Sequence, residues 1–193
     1  MSELEYRAEL RTAVRGLWLG LDDIWGYENI QLAIHRQLPR AWAEGAKTCG
    51  VTMADRTKAE KDELRDIIER EKGYIDGLVD AAMAGSKANG GKLGPLFGRV
   101  NLWLGRYREV RSKAQVISCQ DKKLKWIITA AESCESCLAL AGKIKRSSQW
   151  EAADLRPQSP RLACVKSAGG IPVCKCYFEV TDEPMSKGRL PKV

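Results

Sequence analysis

The sequence predicts an α+β protein, with a long-helix hairpin or bundle over residues 1–118, a small β-rich cysteine module over 119–182 and a flexible tail over 183–193. Three observations carry this expectation. Apolar residues recur at helical spacing up to residue 118, the texture turns β-branched and aromatic after residue 120, and five of the seven cysteines crowd into residues 134–176. A chain of 193 residues with 44% hydrophobic and 30% charged residues has the balance of one that folds around a core.

Residues 3–19 read as a first helix, with Leu4, Leu10, Val14 and Leu17 on neighbouring turns. A turn or short helix over 21–29 carries Trp25 and Tyr27. A second helix over about 30–47 sets Leu32, Ile34, Leu38, Trp42 and Ala46 near one side, and Pro39 should kink or divide it. His35 is the only histidine, which excludes a multi-histidine metal site and places this residue on a helix surface.

Thr57 and Glu60 form a capping-box pattern, so a long helix is expected from there to residue 84, with Leu64, Ile67, Ile68, Ile75, Leu78 and Val79 inward. The Gly- and Asn-rich stretch 85–91 lets the chain reverse. From Leu96 to Ile117, apolar positions alternate by four and three residues through Val100, Trp103, Tyr107, Val110 and Ala114. That stripe suits either a helical hairpin within the chain, which the apolar face of the preceding helix favours, or a homo-oligomeric coiled coil. Strands are expected at 125–129, 142–146 and 177–180.

Charge is unevenly spread. Residues 85–125 hold ten Lys or Arg against two acids, whereas residues 1–84 hold 12 against 16. Within the basic block Arg99, Arg106 and Lys113 are spaced by seven, and Arg108 and Arg111 lie nearby. These five are the candidates for contact with nucleic acid or an acidic partner, although a solvated helix face would read the same way.

Cys134-Glu-Ser-Cys137 and Cys174-Lys-Cys176 sit beside predicted strands, which would bring the two pairs together. Four thiolates from distant segments satisfy the tetrahedral preference of zinc and leave no place for water, so one structural zinc ion is the expected cofactor. The preferred ligands are Cys134, Cys137, Cys164 and Cys176, with Cys174 competing for the fourth place. Reduced thiols or disulfides are the plainer alternative, and Cys49 and Cys119 read as ordinary small buried residues. A thioredoxin-like role for Cys134 and Cys137 is disfavoured, since that motif opens a helix within a βαβ unit. Trp126, Trp150 and Phe178 are expected to pack around the cysteines.

No acid, base and nucleophile set stands out, so the chain is expected not to be an enzyme. No apolar run reaches the roughly 20 residues of a membrane span, and Met1-Ser-Glu-Leu-Glu5 lacks the features of a signal peptide. The chain is therefore expected to stay in the cell that makes it.

The order of these features resembles the phage head-morphogenesis family of minor head proteins typified by the F protein of phage Mu. The resemblance lies in Ala41-Trp-Ala-Glu-Gly45, the Arg-rich helix from Arg99 to Arg111, Trp126 ahead of Cys134-x-x-Cys137-Leu-Ala-Leu-Ala-Gly-Lys-Ile144, and Pro172-Val-Cys-Lys-Cys176. The family's closing element has His before the Pro and Arg between the cysteines, where this chain has Ile171 and Lys175. Cys164 is the natural substitute for that His as a ligand. The resemblance implies a minor capsid protein that associates with portal and capsid proteins in the host cytoplasm and in the virion head, with the basic helix facing DNA or an acidic portal surface. The rival expectations are a nucleic-acid-binding zinc protein and, after it, a thiol oxidoreductase or toxin-like enzyme.

Overall fold

The computed structural model describes residues 2–129, 133–167 and 174–193. The chain forms two compact units, neither of them a continuous stretch: Met1–Ala41 with Asp62–Tyr107, and Trp42–Lys61 with Arg108–Val193.

The first unit is helical. It contains α1 (Ser2–Leu19), the start of α2 (Asp23–Lys47), most of α3 (Lys58–Lys72), α4 (Ile75–Ala84) and the first part of α5 (Leu93–Ser118). Tyr6, Leu10, Val14 and Leu17 of α1 and Ile30, Ile34 and Leu38 of α2 are wholly buried. Each such side chain contributes about 1.5–3 kcal/mol by leaving water. Arg40 pairs with Glu5 at 2.9 Å, and Gln37 donates to Glu9 at 2.8 Å, tying the antiparallel α1 and α2. The loop after α4 is anchored where the Lys87 amide donates to the Trp18 carbonyl and the Trp18 indole donates to the Gly91 carbonyl.

Two expectations change here. Residues 23–47 form one continuous α2 with Pro39 inside it, because Leu38, Ala41 and Trp42 are fully buried and packing outweighs the lost N–H. The helix expected over 57–84 is two, broken at Gly73-Tyr74, where the cost of glycine in a helix falls and the Tyr74 amide closes a tight turn onto Glu71.

The second unit gathers the ends of α2 and α5, the start of α3 and a three-stranded antiparallel sheet. The sheet contains β1 (Lys123–Ile127), β2 (Ile144–Arg146) and β3 (Tyr177–Val180) in the order β2-β1-β3. The expected boundary at residue 118 thus gives way to a unit that takes helical residues from well before it. The Thr57–Glu60 capping box is formed, with the Thr57 amide donating to Glu60 at 2.8 Å and the Glu60 amide to the Thr57 hydroxyl at 3.2 Å.

Three short helices went unread in the sequence: α6 (Glu135–Leu140), α7 (Ser147–Ala152) and α8 (Ala163–Ser167). At five or six residues they are too brief to show a period. Strand β1 begins two residues earlier than expected, so Leu124 and Trp126 point inward and Lys123 and Lys125 outward. The tail is not loose: the Lys145 ammonium donates to the Ser186 and Gly188 carbonyls at 2.7 and 2.6 Å, and Leu190 and Val193 pack on the core. Among the described residues, no helix is long and apolar enough to cross a membrane.

Candidate metal centre

Beneath the sheet lies an aromatic cluster. Trp126 and Phe178 are cross-strand partners meeting edge to face at 5.4 Å, and Trp150 of α7 lies 5.6 Å from Trp126 and 5.1 Å from Phe178. All three are essentially sealed from water, so they form core as expected and offer no stacking face to a base. The Trp150 indole donates to the Leu124 carbonyl at 3.1 Å.

Five cysteines abut this core. Cys134 caps α6, its sulfur accepting the Cys137 amide at 3.4 Å, and Cys137 lies one turn in with no exposed surface. Cys164 comes from α8, positioned where the Ala163 amide donates to the buried Ser136 hydroxyl at 3.0 Å. Cys174 and Cys176 lie on the segment entering β3. That segment is held by Gln158, whose amide donates to the Cys174 and Cys176 carbonyls at 2.8 and 3.1 Å while its oxygen accepts from Ser112 at 3.2 Å.

The sulfurs converge. Cys134, Cys137 and Cys164 lie with all Sγ atoms within 4.8 Å of one another, and so do Cys137, Cys174 and Cys176. This arrangement can hold a metal ion. All five cysteines named in the sequence fall in these groups, and Cys174 and Cys176 sit together in the same group of three, so the grouping does not favour Cys176 over Cys174. Ile171, Pro172 and Val173 of the closing element lie outside the described residues.

The crowding divides the protons unevenly. Hydrogen bonds from Cys137 and Cys176 hold the Cys174 thiol down to about 2 despite burial, with Gln158 assisting. Burial raises Cys134, but hydrogen bonds from the Cys137 amide and from Cys164 outweigh it, and its net shift is downward. Cys137 is pushed up because it donates to Cys174 and Cys176, and Cys164 is pushed up by burial and the nearby Cys174 charge. The Cys137 hydrogen bond favours the Cys176 thiolate, yet Cys174 and burial prevail and push it up to about 12. Five sulfurs this close cannot all ionise without bound positive charge among them.

Cys134 and Cys137 open the short helix α6, but the sheet beside them is antiparallel, so the surroundings are not the βαβ unit of a thioredoxin-like motif, and three further thiols crowd the pair. Cys49 and Cys119 are buried as expected and are also paired in a disulfide, with Cα atoms 5.1 Å apart, which the sequence reading missed. No spacing signal links them, since they lie 70 positions apart in the sequence.

The basic stripe on α5 is partly absorbed by the fold. Arg106 approaches the buried Glu71 carboxylate at 3.6 Å, and the exposed Arg99 donates to the Gly77 carbonyl at 3.1 Å. Arg108, Arg111 and Lys113 are half-buried. From Leu96 to Ala114 every position of the apolar stripe is buried in the folded chain, and Ile117 is half-buried. His35 is exposed.

Comparison of the chain with protein-family models, with curated proteins and with solved structures finds no match.

Proposed function

We propose that this chain acts by binding rather than by catalysis, and that zinc held by thiolates of the C-terminal unit serves a structural purpose. The observation that carries this reading is the convergence of five cysteine sulfurs from α6, α8 and the β3 approach. An all-sulfur donor set selects soft ions, zinc foremost among those that undergo no redox change. Metal bonds here would join three segments distant in sequence, adding folding free energy to that of a small sheet.

On the resemblance of its motifs, we assign the chain to the assembly of phage heads as a minor component that docks on portal or capsid proteins. The nucleic-acid reading draws less support, because Arg99 and Arg106 already bond to protein groups. Two measurements test the proposal. Purified protein should contain zinc by elemental mass spectrometry and lose thermal stability on chelation; metal-free protein of equal stability overturns the structural-metal reading. Co-expressed with the portal and major capsid proteins of the genome that encodes it, the chain should sediment with heads. A chain that stays at the top of the gradient overturns the assembly reading.

A further inference from the structure

The cysteine sulfurs fall into two groups of three, and among the described residues no group of four lies within the same 4.8 Å limit. A closed tetrahedral site needs all six sulfur–sulfur separations short at once, about 3.8 Å for metal–sulfur bonds of about 2.3 Å. Cys137 is the sulfur common to both groups.

We propose that the cluster holds two metal ions bridged by the Cys137 thiolate, one bound by Cys134, Cys137 and Cys164 and the other by Cys137, Cys174 and Cys176. This rests on the reading of the cluster as a metal centre. The ions belong to the zinc class, soft and divalent, and each keeps one position for a water or another small donor.

Three features support the bridge. Cys137 is the most enclosed position, with no exposed surface, while Cys134, Cys164 and Cys174 are partly exposed around it. Each group also has its own N–H donor to an outer sulfur: the Cys137 amide to Cys134 at 3.4 Å, and the Gln158 amide to Cys174 at 3.5 Å. Such donors fix and tune thiolate ligands from outside the coordination sphere. Charge gives the third argument. One divalent ion would leave three of five thiolate charges without a counter-ion unless sulfurs kept their protons, whereas a second ion leaves one.

The test is a titration of the reduced, metal-free full chain with Cd²⁺, read by native mass spectrometry and by cadmium NMR. Two ions per chain are expected, with two resonances coupled through the shared sulfur. Cys164→Ser breaks one group and leaves the other whole, so it should bind one ion tightly. Cys137→Ser should lose both tight sites; should that variant not fold, the wild-type stoichiometry and Cys164→Ser decide alone. One ion per wild-type chain overturns the bridge but leaves the metal reading standing, and no bound ion overturns both.

Discussion

The carboxylate of Glu60 accepts a hydrogen bond from the Ser118 hydroxyl, joining the start of α3 to the end of α5 across 58 residues at a point 4% and 3% exposed. The same carboxylate accepts the Thr57 amide and hydroxyl. Burial opposes its charge, but the bonds from Ser118 and Thr57 and the charge of Arg56 outweigh burial and lower its pKa. A depressed folded pKa means stability that is present above the ordinary carboxylate value and lost as pH falls through the folded one. Glu60→Gln should therefore melt below the wild type at neutral pH, with the gap narrowing as pH drops below about 4. A gap independent of pH would show that the charge is not what the site uses.

Gly45 explains part of the Ala41-to-Gly45 stretch in physical terms. A Cβ there would sit 2.2 Å from the Arg111 carbonyl oxygen and 2.9 Å from the Ala114 Cβ, so α2 and α5 approach too closely for any side chain. Gly45→Ala should cost about 1–3 kcal/mol in chemical denaturation. Gly98, also on α5, meets nothing within 4 Å, and Gly98→Ala should be neutral or stabilise by up to about 1 kcal/mol. Equal effects at the two positions would contradict the close approach.

Trp150 fills the space between Trp126 and Phe178 and has no exposed surface. Trp150→Ala should cost about 3–5 kcal/mol, and Trp150→Phe less, since it keeps the ring contacts and loses the bond to the Leu124 carbonyl. Denaturation followed by the fluorescence of the remaining tryptophans measures both.

Cys49 and Cys119 close a loop of 70 residues. On the chain-entropy argument, that cross-link stabilises by about 4 kcal/mol. Alkylation of the denatured, unreduced protein should leave these two unlabelled and modify the other five cysteines once metal is removed. Cys119→Ser should lower the melting temperature under non-reducing conditions and have a smaller effect under reducing ones.

What was legible in the sequence followed from period and chemistry. The stripe from Leu96 to Ala114 is buried as read, Thr57 and Glu60 cap as read, and the five clustered cysteines meet as read. What stayed hidden depended on contacts between distant segments. Pro39 passes through a helix because Leu38 before it and Trp42 after it are buried, and Cys49 finds Cys119 only where α2 and α5 come together. The helix opened by Cys134 is too short to show a period, so the cysteine turn was visible while its scaffold was not.

Gln158 was unread for the same reason, yet it is the residue that shapes the second half of the centre. Its backbone has φ of 64°, the residue is 1% exposed, and its side-chain amide nitrogen reaches the Cys174 and Cys176 carbonyls and the Cys174 sulfur. Gln158→Leu keeps the volume but leaves those carbonyls and the Ser112 hydroxyl without their partner. Because the aromatic core contacts remain, the unit should stay folded while Cys174 and Cys176 lose their fixed placement. Loss of such an outer support typically lowers metal affinity about 10- to 100-fold. Competition with a chromophoric chelator reads this directly, and an unchanged affinity in a folded Gln158→Leu protein would show that Cys174 and Cys176 are positioned without it.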